Sequence, residues 1–164
     1  MRAHTALIIA GTAALGGGVA GSAGALPAFT VAAKAKTAST STQGTLKAIT
    51  VGRKATFDRL VFRFSGATPG YSVKFVPQVQ PIAGDGHISV LGQRFLQISL
   101  TPTVNGSSAN AASVITPLFP TLRQVKGAGD FEGEIAYGAG LSKHAGFRVF
   151  TLSSPRRVVI DVAH

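Results

Sequence analysis

Short runs in which apolar and polar residues alternate are the dominant pattern of this chain. In Arg59-Leu60-Val61-Phe62-Arg63-Phe64 the residues Leu60, Phe62 and Phe64 fall on one side of a period of two, and Arg59, Val61 and Arg63 on the other. That is how a half-buried β-strand reads. Arg157-Val158-Val159-Ile160-Asp161-Val162 repeats the scheme near the C-terminus, with Val158, Ile160 and Val162 in the places of Leu60, Phe62 and Phe64. Further strands are predicted at residues 46–51, at 71–77, where Tyr71, Val73 and Phe75 alternate with Ser72 and Lys74, at 122–125 and at 147–152. Residues 87–91 and 94–100 flank Gly92-Gln93, which reads as a two-residue hairpin turn. Residues 130–137 read as one strand with Phe131, Ile135 and Tyr137 on one face. Pro69-Gly70, Gly84-Asp85-Gly86, the stretch 138–146 and Ser153-Ser154-Pro155 read as turns, and no segment keeps a helical period. About eight short strands separated by regular turns predict an all-β chain folded as a single-domain β-sandwich.

The first residues break the pattern. Arg2, an Ala- and Gly-rich apolar run and Ala23-Gly24-Ala25 have the order of a secretory signal with a small-x-small cleavage site, so residues 1–25 are expected to be a signal peptide. Cleavage at Ala33 and retention as an anchor are the alternatives. A twenty-residue run this poor in Leu and Ile would span a bilayer badly, so no stable membrane insertion is expected after cleavage. Residues 26–45, rich in Ala, Ser, Thr and Lys, are expected to form a flexible linker to a domain over residues 46–164.

Charge narrows the partners. Sixteen Lys and Arg oppose six Asp and Glu, for a net charge of +10; with Arg2 gone, fifteen basic residues face six acidic ones and the mature charge stays near +9. Such a surface favours anionic partners, and export makes wall phosphates and carboxylates the expected anions rather than nucleic acid. The absence of cysteine removes disulfides, thiol nucleophiles and Cys-based metal sites. There is no Trp to stack on sugars or bases.

FDRLVFRFSG with PGYSVKFV, the run GDFEGEIAYGAGL, the strand FRVFTL and the ending SPRRVVIDVAH together resemble the AMIN-like domain of secreted actinobacterial proteins. That domain is related to the AMIN module of cell-wall amidases and secretin-type envelope proteins. The resemblance covers residues 46–164. It implies a β-sandwich that is not itself catalytic, needs no cofactor and is associated with peptidoglycan. It carries over no agreed ligand residues, and a shared fold does not transfer function by itself.

Candidate residues therefore come from the chemistry of the side chains. Arg53, Lys54, Arg59, Arg63, Lys74, Arg148 and Arg157 are the candidates for binding an anionic wall polymer, because guanidinium donates paired hydrogen bonds to phosphate and carboxylate. A structural use competes with this: if the two similar strands are neighbours, Arg63 is expected to pair with Asp161 and Asp58 with Arg157 across the ladder. Glu132 and Glu134, two apart on a presumed strand, share a face and offer a paired-carboxylate reading as a wall glycan hydrolase. Scarce aromatics speak against it. Asp85 and His87 flank Gly86 but have no clustered third ligand, so no metal is expected. The expected function is a non-enzymatic, secreted cell-wall module. A protein-interaction module that regulates a separate envelope enzyme is the alternative partner class.

Overall fold

The period of two at Leu60, Phe62 and Phe64 puts all three side chains into a core between two sheets. The computed structural model describes residues 24–164, so all but the last two positions of the expected signal lie outside the described residues. Ten strands follow in order: β1 (Lys34–Lys36), β2 (Gly44–Arg53), β3 (Phe57–Gly66), β4 (Gly70–Val76), β5 (Arg94–Thr101), β6 (Val114–Ile115), β7 (Leu122–Phe131), β8 (Glu134–Leu141), β9 (Phe147–Ser153) and β10 (Arg156–Ala163). The only helical element among the described residues is a 3-10 turn at Ser107–Asn110. One sheet has four strands in the order β2-β3-β10-β9, the other six in the order β1-β4-β5-β8-β7-β6. Every named pairing is antiparallel. The all-β sandwich expected from the sequence is what forms, with ten strands instead of about eight.

The two related strands are neighbours: β3 pairs with β10. From the four-stranded sheet Leu46, Leu60, Phe62, Val158, Ile160 and Phe147 point inward and are fully buried against Leu96, Ile98, Leu100, Ile135 and Tyr137 of the six-stranded sheet. The rings of Phe62 and Tyr137 meet across the core with centroids 5.2 Å apart. Burial, with a smaller contribution from the Asp130 charge, pushes the Tyr137 phenol up to about 12 from an ordinary value of 10.0. A phenol raised on folding contributes stability that is complete below its unfolded pKa of about 10 and disappears as pH rises through about 12. Alkaline titration of urea-unfolding midpoints should show a loss on the order of 2 kcal/mol in this window, and Tyr137→Phe should lack that component.

Several elements differ from the sequence reading, each for a packing reason. Residues 87–91 do not form a hairpin with β5, because both edges of β5 are taken by β4 and β8. Instead residues 77–92 lie across the outside of the six-stranded sheet, anchored by the Val79–Ile88 bridge, by Ile82 N donating to Ala128 O at 2.8 Å and by Leu91 N donating to Gln124 Oε1 at 2.9 Å. This layer explains the glycines of β8. A Cβ at Gly138 would lie 2.6 Å from Val79 Cγ2, and one at Gly140 would collide with the Leu91 carbonyl. The stretch expected to turn from residue 138 is therefore strand to Leu141, buried on both faces. The real turn comes earlier. Glu132 (φ 48°) and Gly133 (φ 81°) make the two-residue connection from β7 to β8, the left-handed pair that a type I′ hairpin requires. Phe131 thus ends β7 half-exposed and does not share a face with Ile135 and Tyr137.

Residues 26–45, expected to be a flexible linker, are fastened at two places. Thr30 exchanges backbone hydrogen bonds with Phe147 of β9 (3.1 and 2.9 Å), and β1 pairs with β4. The segment thereby crosses from an edge of one sheet to an edge of the other.

Candidate functional site

Asp161 sits in β10 opposite Arg59 of β3 on one side and Arg148 of β9 on the other. Arg59 donates from Nε to Asp161 Oδ1 (2.6 Å) and from Nη2 to Oδ2 (2.9 Å), while Arg148 Nε donates to Oδ2 (2.8 Å). Both guanidinium groups lie over aromatic rings: Arg148 over Phe29 at 4.3 Å, Arg59 over Phe57 at 5.2 Å and Phe150 at 5.5 Å. Asp161 is fully buried beneath them. The hydrogen bonds to Asp161, with its charge, hold the Arg59 guanidinium above its ordinary range despite partial burial. Arg59 and Arg148 are thus committed to the protein itself, Arg59 through a paired contact and Arg148 through a single hydrogen bond.

The expected partners of these acids are corrected by the direction of the strands. Pairing Arg63 with Asp161 follows from laying the two similar strands in parallel; the antiparallel ladder reverses the order, so Arg63 faces Arg157 and Asp161 faces Arg59. Asp58 does not meet Arg157. It is buried, accepts hydrogen bonds from Thr121 N and Leu122 N at 2.8 Å each, and lies 2.9 Å from His164 Nε2. Arg157 instead donates to Pro155 O (3.1 Å) and Ser154 O (3.3 Å). Arg63 is exposed beside it, and two like charges opposite each other on a ladder repel unless an anion lies between them. Arg53 and Lys54 are exposed at the β2–β3 turn. Lys74 is exposed on β4, in the other sheet. The seven basic candidates therefore do not form one strip.

Glu132 and Glu134 do not share a strand. Glu132 belongs to the hairpin turn, and Glu134 is the first residue of β8. Among the described residues no three of His, Asp and Glu gather as metal ligands would.

A feature that the sequence does not announce lies on the outside of the six-stranded sheet. A cavity of about 750 Å³ opens under residues 37–41, and a second of about 290 Å³ opens beside residues 80–82. The two share Ser72, Ser99 and Glu134. They form one trough, floored by small residues where Ser72 of β4, Ser99 of β5 and Ala136 of β8 stand side by side. Its far wall is fixed by Gln97, whose amide exchanges hydrogen bonds with the backbone of Gln80 at 2.9 and 3.1 Å. The trough has hydroxyls on its floor and on the wall of residues 37–41, and carries Glu134 at the junction and Lys74 towards the far wall, while Lys36 turns its Nζ away to Thr151 of β9.

The family model of the AMIN-like domain matches residues 44–164, from the first residue of β2 to the last residue of the chain. The chain belongs to the AMIN-like family. The match takes in both sheets of the sandwich except β1. Comparison with curated proteins finds no match. AMIN-like domains are non-catalytic modules of cell-envelope proteins, and no helix among the described residues is long and apolar enough to cross a membrane.

Proposed function

We propose that this AMIN-like domain is a secreted, non-enzymatic module that associates with peptidoglycan or the anionic polymers of the wall. The observation that supports it is how little of the positive charge is used internally. Among the described residues only Arg59 and Arg148, of all Lys and Arg, meet a carboxylate within salt-bridge distance, and both meet the same one. Arg53, Lys54, Arg63, Arg157 and Lys74 keep their charge available to the outside. With no Trp and with both tyrosines turned into the sandwich, there is little aromatic surface to add salt-resistant stacking on sugars.

Association of this kind is steered by charge and screened by salt. Co-sedimentation with purified wall sacculi should be strong at low ionic strength and weak at about 0.5 M salt, where the screening length is only a few ångströms. The double variant Arg53→Glu/Lys54→Glu should weaken sedimentation with an unchanged unfolding midpoint, since neither side chain is packed. Sedimentation indifferent to both salt and charge reversal would make a neutral glycan or a protein partner the better reading.

A further inference from the structure

The trough on the six-stranded sheet has a charge arrangement that the rest of the molecule makes unusual. Sixteen basic residues compete for six acidic ones. Asp161 and Asp58 are consumed by Arg59, Arg148 and His164, Asp130 accepts from Ser108 N, and Asp85 and Glu132 are exposed in loops. Glu134 alone lies part-buried in a cavity with no hydrogen-bond or salt-bridge partner among the described residues. Yet Lys74, two residues along β4 from Ser72 and on the same face, lines the same trough. Lys36 contributes only its backbone to the trough, since its Nζ turns away to Thr151 Oγ1 of β9 at 3.2 Å, whereas Lys74 has no polar partner among the described residues.

An unpaired carboxylate with a free ammonium near it on the same sheet face, over a floor of serines and alanine, matches a zwitterionic ligand, with a positive group for Glu134 and a negative one for Lys74. We infer that the trough binds a short peptide that presents an ammonium group to Glu134 and a carboxylate to Lys74, with its backbone amides met by Ser72, Ser99 and Thr101. A neutral sugar chain would use the hydroxyls but leave both charges without partners. An anionic polymer would meet Glu134 as a repulsion. The small floor residues let an extended backbone lie close to the sheet, and a combined space of this order accommodates a ligand of a few residues. This assignment rests on the wall-module reading and names the part of the wall that the trough would hold: its peptide, not its glycan or phosphate.

The test uses the full chain, N-acetyl-Glu-Lys-Ala with a free C-terminus as probe, its Nε-acetyl-lysine form, and a chitin tetrasaccharide as the neutral glycan, with titration followed by amide chemical shifts. The peptide should bind, with shifts centred on Ser72, Ser99 and Glu134. Acetylating the lysine should weaken binding at least about tenfold, the scale of a lost hydrogen bond between charged groups. Glu134→Gln should weaken it by a similar factor and should make lysine acetylation nearly neutral. Absence of peptide binding, peptide binding unaffected by Glu134→Gln, or tighter binding of the tetrasaccharide would each overturn the assignment. Glu134→Gln removes a negative charge, so its sedimentation with sacculi at low salt should be kept or rise. If that sedimentation keeps its salt dependence while the peptide experiments fail, the trough assignment falls and the wall reading stands. If the salt dependence itself is missing, the wall reading falls.

Discussion

Asp161→Asn should lower the stability of the domain by about 3 kcal/mol, read as a shift of the urea midpoint at unchanged slope. The amide keeps the shape of the carboxylate but not its charge, and it leaves two guanidinium groups, only 27 % and 13 % exposed, facing each other over a buried site. Removing one partner of such a group costs far more than the group contributes in balance, because desolvation of the remaining charge is no longer offset. The triple replacement Arg59→Met, Asp161→Leu, Arg148→Met should therefore recover most of the loss. An Asp161→Asn midpoint equal to that of the wild type would show that the network carries no stability at all.

Phe62→Ala should cost about 4 kcal/mol. Its ring is fully buried, packs on Tyr137 from the opposite sheet and stands at the centre of β3, where neither sheet can collapse far to fill the space. Domains of this size are stable by about 5–15 kcal/mol, so a large part of the total is at stake. Phe131→Ala is the control. That side chain is 51 % exposed at the end of β7, and its removal should shift stability by less than about 0.5 kcal/mol. Equal effects at the two positions would mean that the core is not where the alternation of β3 places it.

The strands with a clean period of two were legible in the sequence, because burial on one face imposes that period and little else does. Leu60, Phe62, Val158 and Ile160 were placed correctly for this reason. Strand direction was not legible. Two strands with the same pattern look alike in either orientation, and the partner of Asp161 depends wholly on which one forms. Gly138 and Gly140 misled for a different reason: glycine marks turns and also marks places where another backbone comes close, and only the fold shows residues 79 and 91 lying against them. The strand expected over residues 87–91 failed because pairing is a competition for edges, and β5 had none left. Basic side chains could be named as candidates by type, but whether Arg59 was free or consumed hinged on Asp161, more than a hundred residues away. The trough had no local signal. Ser72, Ser99 and Glu134 are common residues on three strands, and only their adjacency gives them meaning.

The segment that fastens the two sheets lies upstream of the family match, which begins at Gly44. It nevertheless brings Phe29 to Arg148, bridges β9 at Phe147, pairs along the outer edge of β4, and supplies residues 37–41 as one wall of the trough. The family-matched stretch and the folded unit are therefore not the same length of chain. A protein cut at residue 44 would expose the outer edge of β4, leave Phe147 without its Thr30 partner and tend to associate through the freed edge. The same segment can be changed more mildly: substitutions among residues 37–41 would reshape one wall of the cavity while leaving every strand of the family-matched sandwich untouched.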